Sequence, residues 1–244
     1  MMQFRTEEGI LVPAVTAEQM REVDRIAIEE TGPNLLQMME NAGRNLATLA
    51  IDLLGTGWRE ARIVVLAGSG GNGGGGICAG RHLANHGANV TLTLADPTAL
   101  GEVPRWQKTV YENSGATVSD DVEKLRPDLI IDALIGYGLR SAPSGRFADL
   151  IGWTNASGGR ILALDIPSGL DATTGAARGE LMQATWTLTL ALPKTGLLPH
   201  RTGALYLSDI GIPSSTFRRA SIQYRSPFGA SYIIALLPTS ASAT

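Results

Sequence analysis

The sequence has little cysteine, no long apolar run and no excess of basic charge, and each shortage excludes a class of protein. The single cysteine, Cys78, excludes a disulfide framework within the chain, and we expect its side chain to be a small buried apolar group. No apolar run approaches the ~20 residues that a membrane-spanning helix needs, and the N-terminus lacks the charged and then apolar pattern of a secretory signal. We therefore expect a cytoplasmic protein without a membrane partner.

The charge balance points away from nucleic acids. The formal net charge is −3, whereas a nucleic-acid-binding surface usually needs a clear excess of lysine and arginine. A small anionic ligand needs only a local positive potential, so this class of ligand stays open. We expect no nucleic-acid partner.

Short apolar runs alternate with helical stretches over most of the chain, which predicts an α/β fold. Helical stretches at 77–86 and 104–112 separate the earlier runs, so we predict a doubly wound, mostly parallel sheet. The last two runs are joined by a segment without a helical pattern, which favours an antiparallel edge. Six runs are predicted as strands, several of them nearly continuous in Val, Ile and Leu: 63–67, 90–95, 129–133, 161–165, 185–191 and 204–207.

Two helices precede this alternation, at 17–31 and 34–54, and Gly32 and Pro33 separate them. They either cap the sheet or form a dimer contact. The composition changes near residue 220, so we predict a single domain over 1–220 and a peripheral tail over 221–244. The alternative for the tail is that its apolar run at 232–237 docks as an edge element.

The segment at 68–76 is the most informative part of the sequence. Gly68, Gly70 and Gly73 satisfy the pattern G-x-G-x-x-G directly after a predicted strand and before a predicted helix. Glycine lets a ligand approach the backbone, and a helix N-terminus favours anions, so this turn is typical of a phosphate-binding site. The alternative is a flexible loop without a ligand. Asp96 follows the next strand, where an acid either binds a ribose or caps a turn.

Two more predicted strands end in an acid followed by a glycine-containing turn. Asp132 lies in IDALIGYGL and Asp165 begins DIPSGLDATTG. Ligands of open α/β sheets bind outside the carboxyl ends of the strands, so we expect these turns to meet the first one there. Either acid alone could equally cap a helix or form a turn. Lys194, in ALPKTGLLPH, follows the fifth run and is either part of the site or a solvated surface lysine.

Taken together, these motifs resemble the NAD(P)H-hydrate epimerase family from Met20 to Pro213. The resemblance implies a Rossmann-like three-layer αβα sandwich, usually dimeric, and an isomerase that equilibrates the R and S forms of hydrated NADH or NADPH. It also implies a separate ADP- or ATP-dependent dehydratase, which uses the S form. We expect that enzyme on another chain, since this sequence ends soon after SDIGIP. The motifs are MREVDRIAIEE, LLQMMENAGR, the glycine-rich turn with GRHL, DALIGYGL, DIPSGLD, LPKTGLL and SDIGIP.

The resemblance also implies site residues. Potassium would be held by Asn72, Asp132 and Ser168, which offer the oxygen ligands that a hard cation prefers. The family's turn usually reads G-N-N-G-G-D-G, and here the first Asn and the Asp are replaced by glycine. The residues implied to contact the substrate are Gly71, Asn72, Gly73, Gly74, Gly75, Gly136, Tyr137, Gly138, Leu139, Arg140, Ser141, Ala142 and Asp165.

Epimerisation needs a group that transfers protons at near-neutral pH. Asp165 is the first candidate, and Lys194 is the second and could also neutralise charge. The reaction could pass through loss and return of water or through ring opening and closure. Two other functions stay open: a non-catalytic nucleotide-binding or scaffold protein with a degenerate site, which Gly71 and Gly75 favour, and an NAD-dependent dehydrogenase, which fits the later motifs less well.

Overall fold

In the computed structural model, which describes residues 3–239, ten strands form one sheet in the order β2-β1-β10-β9-β8-β7-β6-β3-β4-β5. The neighbours from β9 to β5 pair parallel, which confirms the mostly parallel sheet. The strands are β1 Phe4–Arg5, β2 Leu11–Val12, β3 Arg62–Ala67, β4 Asn89–Leu94, β5 Thr117–Val118, β6 Leu129–Ala133, β7 Arg160–Leu164, β8 Trp186–Leu190, β9 Ala204–Ser208 and β10 Ile233–Pro238.

Helices cover both faces of this sheet, so the protein has three layers. Alternate residues of β3 point to opposite faces: Ile63 and Val65 join one apolar cluster with α1 to α4 and α7, whereas Val64 and Leu66 join a second with α5. The helices are α1 Ala17–Ile26, α2 Leu35–Leu54, α3 Gly71–Asn85, α4 Glu102–Asn113, α5 Arg146–Ala156, α6 Pro199–Thr202 and α7 Ser214–Arg219. Across residues 3–239, none of these helices has both the length and the hydropathy to cross a membrane.

The two predicted N-terminal helices are present and cap the sheet. Each begins with a capping box, at Thr16 with Gln19 and at Asn34 with Gln37, in which side chains satisfy free backbone N–H groups. A π-helical turn, Ala27–Thr31, continues α1 up to the break. The buried faces of α1 and α2 belong to the same apolar cluster as the sheet, which holds them over its carboxyl edge.

The predicted antiparallel edge between 185–191 and 204–207 is wrong, since β8 and β9 pair parallel. The crossover between them contains only the one-turn helix α6, which is too short to leave a periodic pattern in the sequence. The antiparallel strands are β10, β1 and β2.

The tail predicted as peripheral contributes β10, which pairs with β9 on one side and with β1 on the other. The apolar run at 232–237 therefore docks in the sheet, but as an inner strand, because the two-residue strand β1 covers its outer side. A boundary near residue 220 stays a prediction, and residues 240–244 lie outside the described part of the chain.

Candidate active site

The turns after β3, β6 and β7 meet at the carboxyl edge of the sheet around a cavity of about 670 Å³. This arrangement agrees with the predicted meeting of the three turns. The N-terminal helices complete the cavity, because Met20 and Asp24 of α1 and Leu35 of α2 line its outer wall. A mostly apolar cavity with a few converging polar groups is typical of a small-molecule site.

The predicted glycine-rich turn is shorter than expected, because α3 begins at Gly71 and leaves only Gly68–Gly70 as a turn. The glycines allow close packing of this helix. A Cβ on Gly73 would lie 1.9 Å from the carbonyl oxygen of Gly68, and one on Gly76 would lie 2.3 Å from Cβ of Ala133. Glycine is a poor helix former, so its density indicated a loop, but tertiary packing overrides that propensity here.

Because α3 begins at Gly71, only some of the glycines predicted to contact the substrate reach the cavity. Gly71 and Asn72 line the cavity, whereas Gly73, Gly74 and Gly75 are buried within α3 and are not among the lining residues. A Cβ on Gly75 would lie 2.9 Å from Cδ2 of Leu164, so the missing acid at this position leaves an apolar contact between α3 and the sheet.

The N-terminus of α3 faces the cavity without a side-chain cap. Its first hydrogen bond within the helix runs from the N–H of Gly74 to the carbonyl of Gly70. The N–H groups of the three preceding residues have no partner in this ladder, and the helix dipole adds partial positive charge. This end of α3 can therefore accept phosphate oxygens.

The three predicted cation ligands gather around the segment after β6. Ser168 donates from Oγ at 2.6 Å and from its backbone N–H at 2.9 Å to the Asp132 carboxylate, and it accepts from the N–H of Ile135 at 2.9 Å. The carboxamide of Asn72 lies against Gly136, where a Cβ would come within 3.3 Å of Oδ1.

In the described part of the chain, one group in this cluster lacks a cationic partner, and another lacks a hydrogen bond. Asp132 is fully buried, and burial raises its pKa to about 6, although the hydrogen bonds from Ser168 lower it. Its carboxylate has no cationic side chain as a partner within residues 3–239, and Nδ2 of Asn72 is buried without a hydrogen bond there. A set of oxygen donors around a buried carboxylate fits a bound monovalent cation.

Asp165 and Lys194 form a buried ion pair at the floor of the cavity. Nζ of Lys194 donates to Oδ1 of Asp165 and, at 3.0 Å, to the carbonyl of Leu190. Oδ2 of Asp165 accepts from the backbone N–H of Tyr137 at 3.1 Å. Asp165 has φ of 69°, a left-handed conformation that non-glycine residues rarely adopt and that concentrates at functional sites. This burial excludes the alternative of a solvated surface lysine at position 194.

The loop after β6 forms one wall of the cavity, which is lined by the whole predicted stretch Gly136, Tyr137, Gly138, Leu139, Arg140, Ser141 and Ala142. Arg140 is exposed at the rim and brings a positive charge. Their role as substrate contacts stays a prediction.

Two polar residues of α1 line the same cavity and were missed by the sequence reasoning. Asp24 accepts a hydrogen bond from the hydroxyl of Tyr137, and Arg21 lies one turn before it at the rim. Both lie next to the buried residues Met20 and Val23 in the sequence. An acid at the border of an apolar helix face, within a motif of the resemblance, was the available signal.

Asp96 and Cys78 have structural roles away from the cavity. Oδ1 of Asp96 accepts from the N–H of Thr98 at 3.0 Å and of Ala99 at 3.1 Å, so this acid caps a turn, as one of its two interpretations stated. Cys78 is buried, as expected, and burial raises its pKa to about 12.

Cys78 also belongs to a group of possible metal ligands with Glu40 and His82. Arg81 lies among them, with Nη2 at 2.6 Å from Oε2 of Glu40 and 3.3 Å from Sγ of Cys78. The guanidinium supplies the positive charge that the Glu40 carboxylate needs, so the charge of this carboxylate is compensated within the protein.

Comparisons with known proteins show the family of the chain. The model of the family "YjeF-related protein N-terminus" matches residues 35–196. An NAD(P)H-hydrate epimerase from Dehalogenimonas lykanthroporepellens is 53% identical over 238 residues, which cover 96% of this chain and 97% of that one. The NAD(P)H-hydrate epimerase from Weissella koreensis is 36% identical, and the match covers 84% of this chain and 94% of that one.

Longer relatives and a solved structure extend the comparison. A bifunctional NAD(P)H-hydrate repair enzyme from Moorella thermoacetica is 36% identical over 82% of this chain but only 40% of its own length. The crystal structure of the yeast protein ynu0 matches with a TM-score of 0.78 at 20% identity, covering 92% of this chain and all of that one, which shows the same fold. The chain belongs to the family of the YjeF-related protein N-terminus.

Proposed function

We propose that the chain epimerises hydrated NADH and NADPH, so that the R and S forms reach equilibrium during repair of nicotinamide nucleotides. The observation that carries this proposal is the buried Asp165–Lys194 pair on the floor of a nucleotide-sized cavity. The relatives named NAD(P)H-hydrate epimerase, at 53% and 36% identity over most of both chains, support it.

The nucleotide's phosphates bind at the N-terminus of α3. The free N–H groups there supply hydrogen bonds, and Arg21 and Arg140 add positive charge at the rim of the cavity. Backbone contacts of this kind do not depend on side chains, so glycine at positions 71 and 75 leaves them in place. The segment 136–142 contacts the substrate along the wall of the cavity.

A potassium ion is held by Asn72, Asp132 and Ser168. A bound cation would supply positive charge beside the buried carboxylate and would tie the first turn of α3, the end of β6 and the turn after β7 to one another. The three side chains offer oxygen ligands, and oxygen ligands suit a hard monovalent ion better than thiolate or imidazole ligands do. Because Ser168 and Asp165 lie in the same turn after β7, ordering Ser168 also orders the catalytic acid.

Asp165 transfers protons at the reacting carbon, a hemiaminal carbon beside the ring nitrogen. When water is lost, the Asp165–Lys194 pair gives a proton to the departing hydroxyl oxygen. When water returns, the same pair takes a proton from it. Lys194 holds Oδ1 of Asp165 and neutralises its charge, while the N–H of Tyr137 holds Oδ2. Both atoms are therefore fixed before the substrate arrives, which is the usual condition for efficient proton transfer.

The bifunctional repair enzymes among the relatives support a pathway in which a dehydratase acts on the same metabolite. We place an ADP- or ATP-dependent dehydratase after this reaction. A mixture of R and S hydrates, treated with an S-specific dehydratase, tests the proposal. With the chain present we expect complete consumption of both forms, whereas a non-catalytic nucleotide-binding protein leaves the R form unconsumed.

A further inference from the structure

A second carboxylate reaches the cavity from the helix layer, opposite the ion pair at the sheet edge. Asp24 lies on α1 and accepts from the hydroxyl of Tyr137, whose backbone N–H donates to Oδ2 of Asp165. One tyrosine therefore contacts both carboxylates, one with its backbone and the other with the far end of its side chain. Tyr137 therefore links the two acids, and all three residues line the cavity.

Asp24 has few charged partners. Tyr137 is the only hydrogen-bond donor to its carboxylate within residues 3–239, and it has no ion pair there. The charged groups nearby are Arg21 on its own helix and the Asp165–Lys194 pair across the cavity. Burial raises the pKa of Asp24, although the hydrogen bond from Tyr137 and the charge of Lys194 lower it. A raised pKa favours the protonated form of Asp24 over that of a solvated carboxyl group, so this side chain can serve as a proton donor as well as an acceptor.

We propose that Asp24, oriented by the Tyr137 hydroxyl, is the second proton-transfer group of the reaction and acts on the face of the ring opposite Asp165. This inference rests on the proposed epimerase function and selects the route through loss of water. The C–O bond breaks and its electron pair leaves with the hydroxyl, which takes a proton from the acid on its own face. The nitrogen lone pair forms the C=N⁺ bond. Water then adds to the opposite face and gives a proton to the other acid, so one proton is consumed and one is released.

Exchange of the substrate's hydroxyl oxygen with labelled water distinguishes proton transfer on the two faces of the ring. In H₂¹⁸O, the wild type should label both forms while it interconverts them. Asp24→Asn removes proton transfer on one face only. We expect its epimerisation rate to fall about 10²–10⁴-fold, the usual contribution of a positioned acid or base. The form whose hydroxyl lies on the Asp165 face should still exchange its oxygen within about threefold of the wild-type rate. On that face, Asp165 alone serves both the loss of the hydroxyl and the return of water.

Two further variants complete the experiment. Glu22→Gln on the same helix removes an exposed acid that pairs with Arg25 outside the cavity, and it should match the wild type in both rates. Tyr137→Phe removes the hydroxyl that orients Asp24 and should cause the same selective loss, so the inference stays testable if the Asp24 variant fails to fold.

The outcomes are distinct. Equal losses of exchange and epimerisation in Asp24→Asn, or no loss of either, would overturn the inference while leaving the epimerase function intact. Epimerisation by the wild type without ¹⁸O incorporation would also overturn it, since that result indicates ring opening. A wild type that neither exchanges nor epimerises contradicts the proposed function itself.

Discussion

Lys194 donates to Asp165 in an ion pair whose side chains are only 1% and 3% exposed. Removing one partner of such a pair leaves an uncompensated buried charge, which typically costs about 3–5 kcal/mol. Loss of activity in a single variant at either position therefore combines two causes, lost proton transfer and lost stability.

A paired substitution separates these causes. Asp165→Asn alone should lower both the melting temperature and the epimerisation rate, the latter by about 10²–10⁴-fold. Asparagine tolerates the left-handed backbone at this position, so strain is not added. Asp165→Asn with Lys194→Met should recover most of the stability, because no isolated charge remains, but none of the activity. Thermal melting and turnover of the wild type and these two variants check this, and activity in the paired variant would exclude both residues as proton carriers.

Potassium should stabilise the protein in a pH-dependent way. Because the pKa of Asp132 is raised to about 6 in the folded state, the folded chain keeps a proton that the unfolded chain loses near pH 4. The stability that this carboxyl contributes is present below about pH 4 and is lost as the pH rises through 6. A cation beside the carboxylate opposes that loss, so the gain from potassium should grow between pH 4 and 7.

Melting temperatures in potassium and in a bulky organic cation, at several pH values, measure this gain. Asp132→Asn keeps the size of the side chain but cannot ionise, and it should melt equally in both salts. The same melting temperature for the wild type in both salts at pH 7 would contradict a cation site at these residues.

The two glycines that depart from the family pattern should respond differently to reversion. Gly71 lies at the cavity, where a Cβ would meet only Sδ of Met39 at 3.8 Å and Cδ1 of Leu35 at 4.0 Å. Gly71→Asn should fold normally and leave activity unchanged or higher. Gly75→Asp would place a carboxylate against Leu164 within the core, which should lower the melting temperature and the activity together.

Melting temperature and turnover of these two variants form a matched pair. If Gly75→Asp is as stable as the wild type and more active, the glycine at position 75 reflects loss of function rather than repacking of α3 against the sheet.

We also expect a homodimer that uses the N-terminal helices. Ile28 and Leu36 are apolar and 48% and 39% exposed on this part of the protein. Replacing both with Asp should give a monomer by light scattering at micromolar concentration, whereas Tyr232→Ser, which removes an exposed apolar group elsewhere, should not change the mass. A monomeric wild type would contradict this expectation.

The sequence alone was sufficient to predict the helices and strands with a strong apolar pattern and the acids at the ends of strands. The buried runs of β3, β6 and β7 predicted parallel strands, and the position of Asp165 after β7 predicted its place at the carboxyl edge. It was insufficient where tertiary contacts decide the local structure. The glycines of α3 indicated a loop because their role is to allow contacts with distant residues such as Ala133.

The same limit applies to Asp24 and to the strand β10. Asp24 belongs to the site only because α1 folds over the sheet edge, and nothing local to its helix indicates the hydroxyl of Tyr137 as a partner. The strand β10 becomes an inner strand because the two residues of β1 pair with it, and a segment that short has no period to detect.

The most direct test of the account follows the R and S hydrates separately by chromatography, starting from either pure form. The wild type should bring both starting materials to the same ratio, faster than the reaction without protein. The Asp165→Asn, Lys194→Met variant should stay folded and bind the nucleotide, but should interconvert the forms no faster than that blank. Binding of the nucleotide by the wild type without any interconversion would contradict the account and identify the chain as a non-catalytic nucleotide-binding protein.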